Sequence, residues 1–341
     1  MRALALHHLG SVEANPHPLV EIELPDPEPA PAEVVIRVAA CAVCHTDLDI
    51  IEGRTPPPTL PIVLGHQVVG QVEQFGAGVA TLPIGTRVGV AWINSACGTC
   101  SWCVRGLENL CPAFSATGRD APGGYAERLA VRADFTHPIP GRISAERAAP
   151  LLCAGAIGYR SLMLSGIGDG DSLGLTGFGA SGHLVLKLVH RRFPRARVHV
   201  FARSEREREF ARWLGAVWAG GIGERPPALL RAIIDTTPVW RPILESLAAL
   251  EPGGRLVVNA IRKEDRDKDA LLDLDWPRHL WMEKEVKSVA NVTRRDVREF
   301  LALAAELGVE PEIETFPLRE TNRALVELKQ GSIRGAKVIV L

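Results

Sequence analysis

The sequence has no uninterrupted apolar stretch approaching the ~18 residues that a membrane-spanning helix needs, so we predict no such helix. It also has no excess of either charge, because 39 Lys and Arg against 40 Asp and Glu leave a formal net charge of −1. A near-neutral chain lacks the basic surface typical of proteins that bind nucleic acid or acidic membranes. Internal repeats and low-complexity segments are missing as well, so we expect an ordinary globular protein.

The first 25 residues, "MRALALHHLGSVEANPHPLVEIELP", do not have the pattern of a secretory signal, so we do not expect one there. This stretch starts apolar but soon turns polar, and it has neither a hydrophobic core nor a cleavage site. We therefore expect a cytoplasmic protein. In that compartment the seven cysteines indicate metal binding or catalysis rather than disulfides.

The length and composition predict two domains. At about 150 residues per domain, 341 residues suggest two of them. The chain is 46% apolar and 23% charged, which is ordinary for a globular protein. A chain of this size can bury a large core without disulfide or metal cross-links.

The first 150 residues have the pattern of short strands and turns. Segments 33–43, 61–76 and 85–93 are rich in Val and Ile and are bounded by Gly and Pro. The proline-rich segment 24–33, "LPDPEPAPAE", predicts a surface loop, because proline cannot donate to a sheet.

The pattern changes near residue 145. Segment 144–164 has helical spacing, and alternating strands and helices follow it. They are a strand, glycine loop and helix over 171–192, a strand at 196–202, a helix at 204–216, a strand at 231–237, a helix at 241–254 and a strand at 255–261. Such alternation predicts a doubly wound parallel sheet. The charge run 262–269 predicts a solvated loop, and the tail 293–341 predicts a helix and a terminal strand.

Four cysteines lie close together in "CGTCSWCVRGLENLC": Cys97, Cys100, Cys103 and Cys111. Their spacing is typical of a closed, tetrahedral zinc site that holds a loop together. Four buried free thiols are the ordinary alternative, but the loop is polar. An iron–sulfur cluster is the chemical alternative, and the spacing does not match the ferredoxin runs.

The other three cysteines are Cys41, Cys44 and Cys153. Cys41 and Cys44 form a C-x-x-C pair, which by itself is also compatible with redox chemistry. A catalytic zinc needs three protein ligands and one open position, and Cys44, His66 and Cys153 can supply them. Taken singly, each has an ordinary alternative: a core or surface histidine, or a cysteine that acts as a small apolar residue.

Five motifs occur together: "CHTDL", "LGHQVVGQV", the four-cysteine lobe, "PLLCAG" and the loop "GFGASG". In this order and spacing the chain resembles the zinc-dependent medium-chain alcohol dehydrogenases, most closely the bacterial propanol-preferring type. The resemblance implies an α/β protein with a GroES-like, β-rich catalytic domain (1–153 and 290–341) and a doubly wound Rossmann cofactor-binding domain (154–289). It implies that Cys44 is a zinc ligand and Cys41 a buried thiol behind the site. A homodimer or homotetramer is expected.

The glycine loop follows a predicted strand and precedes an apolar helix, which is the setting of a dinucleotide-binding loop. Its residues are Gly177, Phe178, Gly179, Ala180, Ser181 and Gly182. The G-x-G-x-x-G spacing lets the backbone approach a pyrophosphate at the helix N-terminus. A plain strand–helix turn is the alternative.

The residues about 20 positions later concern the choice between NAD and NADP. Ala202 stands where an acidic residue usually binds the ribose 2′-hydroxyl, and Arg203 and Ser204 follow. A missing carboxylate beside a guanidinium suits a 2′-phosphate, so we expect NADP slightly ahead of NAD, with Arg203 in contact. For Arg206 and Arg208 we prefer the interpretation of a solvated helix face.

The resemblance also implies roles near the catalytic zinc. Thr46 would hydrogen-bond the substrate oxygen and pass its proton outward, and Asp47 would orient the histidine ring or cap a helix. Asp49 replaces the histidine that often ends the proton relay, and its unperturbed pKa of about 3.9 is lower than histidine's. Gln67 replaces a common glutamate, which makes the site less negative. Trp92 would narrow the pocket towards small primary alcohols, or simply be a core aromatic.

The resulting prediction is a zinc enzyme that interconverts small alcohols with aldehydes or ketones, using a nicotinamide cofactor and two zinc ions per chain. Alternatives within the superfamily are a polyol or threonine dehydrogenase and a mainly reductive aldehyde reductase. A zinc-ribbon nucleic-acid binder is disfavoured by the neutral charge and the glycine loop. A catalytically silent member is disfavoured by the intact set of candidate zinc ligands.

Overall fold

The chain divides into two compact units. The computed structural model describes residues 1–79, 82–331 and 334–341. Unit 1 comprises Met1–Ala156, Val292–Ala305 and Glu310–Leu341, and unit 2 comprises Ile157–Asn291 and Glu306–Val309. No helix in the described part of the chain has both the length and the apolar character needed to cross a bilayer.

Short strands dominate the first 140 residues, and strands alternate with helices after that. In chain order the strands are β1 (Arg2–Leu6), β2 (Leu19–Glu23), β3 (Glu33–Ala42), β4 (Ile62–Val63), β5 (Gln67–Phe75), β6 (Arg87–Val90), β7 (Ile93–Ser95), β8 (Ser115–Ala116), β9 (Arg128–Arg132), β10 (Thr136–Pro138), β11 (Ser172–Thr176), β12 (Arg197–Phe201), β13 (Trp218–Gly220), β14 (Leu230–Asp235), β15 (Leu250–Val258), β16 (Glu285–Ser288), β17 (Ile313–Pro317) and β18 (Ala336–Val340). The α-helices are α1 (His45–Ile51), α2 (Ser101–Val104), α3 (Ala145–Ala148), α4 (Ala154–Ser165), α5 (Ala180–Arg192), α6 (Glu205–Trp213), α7 (Arg241–Ala249), α8 (Trp276–His279), α9 (Arg294–Leu307) and α10 (Thr321–Lys329). Short 3₁₀ helices span Glu108–Leu110, Ala133–Phe135, Ala149–Leu152, Lys268–Asp273 and Leu318–Glu320.

The main sheet of unit 1 has the strand order β10-β6-β5-β3-β18-β17, and β9 also pairs with β3. The terminal strand β18 runs antiparallel to β3, with Ile339 opposite Cys41. Along β3 only Arg37 is exposed, as expected for a strand covered on both faces. This sheet positions two candidate ligands, because β3 leads into Cys44 and β5 begins directly after His66.

Unit 2 contains a parallel six-stranded sheet with the order β13-β12-β11-β14-β15-β16. Strand β11, "SLGLT", is buried throughout and has no charged residue. The strand order reverses at β11: β12 and β13 follow on one side of it, and β14, β15 and β16 follow on the other. The boundary between β11 and β14 is therefore a topological switch point. Ligands of doubly wound sheets bind at the carboxyl ends of the strands at such a point, and the loop 177–182 leaves β11 there.

Most predicted elements are present, including the parallel sheet, the loop 24–33 and the terminal strand. The prediction of one helix over 144–164 was wrong, because α3 is followed by a 3₁₀ turn and α4 begins only at Ala154. Pro150 lies in that turn, and Cys153 has the non-helical angles φ −130° and ψ −71°. A proline cannot donate an intrahelical hydrogen bond, so the helix is interrupted here.

Candidate metal centres and cofactor loop

The four cysteines of the lobe converge on one point. Cys97 follows β7, Cys100 and Cys103 lie in and around α2, and Cys111 follows a 3₁₀ turn. The four Sγ atoms all lie within 4.8 Å of one another. The Sγ–Sγ distance is 3.5 Å for Cys97–Cys111, 3.8 Å for Cys100–Cys111 and 3.9 Å for Cys97–Cys103. A tetrahedron with zinc–sulfur bonds of about 2.3 Å has edges of about 3.8 Å, so the lobe fits a zinc ion.

Hydrogen bonds in the lobe favour a thiolate at one cysteine, Cys97, whereas burial and the neighbouring sulfurs raise the pKa of Cys103 to about 12. The pKa of Cys97 is lowered to about 6, first because the backbone N–H of Cys100 donates to its sulfur over 3.3 Å. Thiolates are the form in which cysteines bind metal. All four cysteines are free of disulfide bonds, so their sulfurs are available to a metal.

A second group joins three segments that are distant in sequence. Cys44 caps α1, His66 lies between β4 and β5, and Cys153 lies between a 3₁₀ turn and α4. Their ligand atoms lie within 4.8 Å of one another. His66 is completely buried, and among the described residues neither ring nitrogen makes a well-aligned hydrogen bond, although Nδ1 lies 3.4 Å from a carboxylate oxygen of Asp47. Buried polar atoms are rarely left unpaired, so two sulfurs and this imidazole fit a metal with an open fourth position.

Cys44, His66 and Cys153 shift one another's pKa values. The pKa of the Cys44 thiol is held well below its usual range, chiefly by a hydrogen bond with Cys153 and then by His66, while burial opposes the shift. Burial lowers the pKa of His66, but the Asp47 carboxylate and Cys44 outweigh it and raise that pKa to about 10. The protein therefore already stabilises positive charge next to the Cys44 sulfur, where a divalent ion would carry it.

Asp47 contacts both the start of α1 and His66, the two possibilities that the sequence allowed to hold together. Its Oδ2 accepts a hydrogen bond of 2.8 Å from the backbone N–H of Cys44, which caps α1. Its Oδ1 lies 3.4 Å from His66 Nδ1. Tyr125, which sequence reasoning missed, donates its hydroxyl to Asp47 Oδ2 over 2.9 Å and is completely buried. No local signal marks Tyr125, because it is 78 residues away along the chain.

Thr46 and Asp49 lie on the first turns of α1. The half-buried Thr46 places its Oγ1 3.6 Å from Cys44 Sγ. Asp49 is bonded to the guanidinium of Arg54, which also bonds Glu52. Burial raises the pKa of Asp49, and the pairing with Arg54 opposes that rise. Sequence reasoning missed Arg54.

The region behind the histidine is tightly packed. Gly65 has φ +93°, and a Cβ there would lie 2.8 Å from both Cys41 Sγ and the Tyr125 ring, so only glycine fits beside the ligand. Cys41 is completely buried, and burial raises the pKa of its thiol. Trp92 is 4% exposed and meets the His66 ring edge-on at 4.8 Å between centroids.

The loop 177–182 leaves free space next to its backbone at the N-terminus of α5. Gly177 has φ +83°, and a Cβ there would approach Thr236 Oγ1 to 2.6 Å. Gly179 caps the 13-residue helix α5, and a Cβ there would meet no atom within 4 Å. Phe178 is buried and packs against Phe210, so only its backbone can face a ligand. The free space and the helix N-terminus fit a pyrophosphate.

The residues after β12 only partly match the prediction. Ala202 is buried at the strand end, and Arg203 is exposed. Ser204 caps α6: it donates to Glu207 Oε2 over 2.8 Å and accepts from the Glu207 N–H over 3.3 Å. The prediction that Arg208 is merely solvated was wrong, since its guanidinium donates to the carbonyl of Ala202 over 3.0 Å.

Comparisons with known proteins identify the family to which the chain is similar. The model of the alcohol dehydrogenase GroES-like domain matches residues 30–141. A probable alcohol dehydrogenase, AdhA, from Mycobacterium tuberculosis (strain CDC 1551 / Oshkosh) is 41% identical over 329 residues, covering 95% of this chain and 93% of that protein.

Solved structures show the same architecture over the whole chain. A cinnamyl alcohol dehydrogenase, SbCAD4, from Sorghum bicolor has a TM-score of 0.84 at 29% identity and covers 99% of this chain and 97% of that chain. A cobalt- and zinc-bound thermostable alcohol dehydrogenase from Pyrobaculum aerophilum has a TM-score of 0.87 at 25% identity, with coverage of 100% and 99%.

Proposed function

The chain belongs to the zinc-dependent medium-chain alcohol dehydrogenase family, and on that premise we propose that Cys44, His66 and Cys153 form its catalytic metal site. The activity is the NAD(P)-dependent interconversion of alcohols with aldehydes or ketones. One observation carries the assignment of residues: three ligand atoms from three segments, one of them on a completely buried imidazole, lie within 4.8 Å of one another. We assign the catalytic domain to 1–153 and 290–341 and the Rossmann cofactor domain to 154–289.

Two thiolates and a neutral imidazole would balance a divalent ion and leave its fourth position for substrate. A bound zinc supplies a Lewis acid that lowers the pKa of the substrate hydroxyl and, in the reverse direction, polarises the carbonyl. The chain's own contribution is orientation. Asp47 Oδ1 faces His66 Nδ1 at 3.4 Å, which leaves Nε2 as the nitrogen that would bind the metal beside Cys44 and Cys153.

Proton transfer is assigned to α1. The Thr46 hydroxyl, 3.6 Å from Cys44 Sγ, accepts the proton of the substrate alcohol and passes it outward. Asp49, three residues later on the same helix face, is the next acceptor. Because burial raises its pKa, this carboxyl takes up a proton more readily than a free aspartate, while Arg54 holds it in place.

The cofactor is bound by the loop 177–182 through its backbone, with the pyrophosphate at the N-terminus of α5. The nicotinamide supplies the hydride acceptor. We favour NADP over NAD because Ala202 offers no side-chain acceptor to the ribose, and Arg203 is exposed beside it. The Ser204 hydroxyl is engaged with Glu207, so Arg203 remains the stronger candidate for the 2′-phosphate.

Small primary alcohols are the proposed substrates. The buried indole of Trp92 stands edge-on against His66, so it occupies volume directly beside the ligand set. A bulky side chain at this place narrows the space for substrate. The four-cysteine lobe is assigned a second, structural zinc, and the active protein is proposed to be a homodimer or homotetramer.

The test combines metal analysis with kinetics. Purified protein should contain two zinc ions per chain, and it should reduce NADP with C2–C8 alcohols, fastest with the short primary ones. Cys44→Ser should retain one zinc and the fold but lose turnover. Cys100→Ser should mainly lower stability, since a structural site contributes folding energy. One metal per chain in the wild type, or a preference for polyols or threonine, would contradict the proposal.

A further inference from the structure

We propose that Gln67 is a positioning residue that ties together the three segments carrying the catalytic metal ligands. This inference rests on the proposed function of Cys44, His66 and Cys153. It concerns how the protein fixes the ligand set, and it assigns a purpose to the amide that stands where a carboxylate is common in the resembled family.

The side chain of Gln67 bridges two backbone groups. Gln67 is the first residue of β5, directly after His66, and it is 1% exposed. Its Nε2 donates to the carbonyl oxygen of Ala42 over 3.2 Å, and its Oε1 accepts from the N–H of Ala154 over 3.3 Å. Both polar ends of the amide are therefore satisfied inside the protein.

The two bridged groups stand next to the other ligands. Ala42 ends β3, two residues before Cys44, and Ala154 begins α4, directly after Cys153. The N–H of Ala154 belongs to the first turn of α4, where intrahelical partners are lacking, so it needs an outside acceptor. One side chain thus connects all three ligand segments, because Gln67 is itself covalently joined to the histidine.

An ionised carboxylate or an apolar side chain cannot make both bonds. A carboxylate could accept from the N–H of Ala154, but it has no hydrogen to donate, and it would set an oxygen against the oxygen of Ala42. An apolar side chain of similar length would make neither bond and would leave two buried backbone groups without these partners. Groups that orient metal ligands typically change metal affinity by about 10- to 100-fold when they are replaced.

The experiment follows zinc release from the full-length, zinc-loaded protein to a chromophoric chelator. Two phases are expected, and the phase missing in Cys44→Ser is that of the catalytic site. In Gln67→Met that phase should be about 10- to 100-fold faster, while the phase of the four-cysteine lobe stays unchanged. Gln71→Met is the matched control, because Gln71 lies on the same strand but is exposed, and its side chain accepts a hydrogen bond from Arg37 rather than from a ligand segment. Its two phases should equal those of the wild type.

Gln67→Glu provides a second variant of the same size that keeps the bond to Ala154. Its catalytic-site phase should also be faster than in the wild type, because the contact with Ala42 is lost. If both variants release the catalytic-site zinc at the wild-type rate, the inference is overturned. If only Gln67→Glu releases it at or below the wild-type rate, the hydrogen bond to Ala42 has no part in holding the ligands. If the wild-type protein has only the phase of the four-cysteine lobe, the proposed catalytic site is wrong, whatever Gln67 does.

Discussion

His137 should make this protein lose stability in mild acid. The residue lies on β10 and is completely buried, and among the described residues neither ring nitrogen has a hydrogen-bond partner. Burial, together with the positive charges of Arg298 and Arg294, lowers its pKa from 6.5 to about 3. The folded state therefore holds the imidazole neutral, whereas the unfolded chain protonates it near pH 6.5.

Proton linkage gives the direction and the size of this change in the free energy of unfolding. Between pH 6.5 and 3 the unfolded state binds more protons than the folded state, so the free energy of unfolding falls as the pH falls. At about 1.36 kcal/mol per pKa unit, the loss reaches ~5 kcal/mol near pH 3 and ~2 kcal/mol at pH 5. Above pH 6.5 the contribution is fully present.

The assay is urea unfolding at pH 8 and at pH 5, for the wild type and for His137→Leu. Leucine carries no titratable group, so its effect on stability is independent of pH. Acid also protonates the metal-binding cysteines, but equally in both proteins, and the difference between them isolates His137. The wild type should lose about 2 kcal/mol more than the variant between the two pH values. His17→Leu, at an exposed histidine, should behave like the wild type. Equal losses in the wild type and His137→Leu would refute the reasoning.

Three further substitutions test the site. Thr46→Val should lower kcat by about 10²- to 10⁴-fold with the zinc content unchanged, because it removes the proposed proton carrier; unchanged turnover would mean another route for the proton. Arg203→Ala should lower kcat/KM for NADP by about 10- to 100-fold and leave the value for NAD unchanged. The control Arg206→Ala, on the solvated face, should change neither value. A wild type that prefers NAD would contradict this prediction. Tyr125→Phe should lower the free energy of unfolding by about 1.5–3 kcal/mol in urea titrations of the zinc-loaded protein, because it deletes a buried hydrogen bond to the Asp47 carboxylate. A change under about 0.5 kcal/mol would show that this hydrogen bond contributes little to stability.

Local patterns carried the prediction of the parallel sheet. Buried strands such as β14 are rich in Leu, Ile and Ala. The turn at Gly177 also leaves a signature in the sequence, because its positive φ favours glycine. The helix interruption before Cys153 was missed, although Pro150 marks it, because apolar spacing on both sides continues across the turn. Spacing alone reports which residues are buried, and it does not report which backbone bonds are made.

Side-chain partners distant in sequence could not be predicted. Tyr125 bonds to Asp47 from 78 residues away, and its own neighbourhood, "GGYAE", carries no sign of that contact. Arg208 was judged by its place in a charged helix, but its long side chain reaches back to the carbonyl of Ala202. Such contacts depend on how helices and strands pack against one another, and short sequence patterns carry no information about that packing.

The bonds of Asp47 explain how a helix start becomes a ligand-orienting device. Its Oδ2 is taken by the Cys44 N–H and the Tyr125 hydroxyl, so Oδ1 alone is left to face His66 Nδ1. A neutral imidazole that places its proton on the carboxylate side carries a bare lone pair on the other nitrogen. That nitrogen is buried without a partner, and two sulfurs lie within reach of it. The same carboxylate that caps α1 therefore selects the tautomer that can bind a metal. Any replacement of Asp47 should disturb the helix start and the ligand together, because one oxygen cannot be released without moving the other.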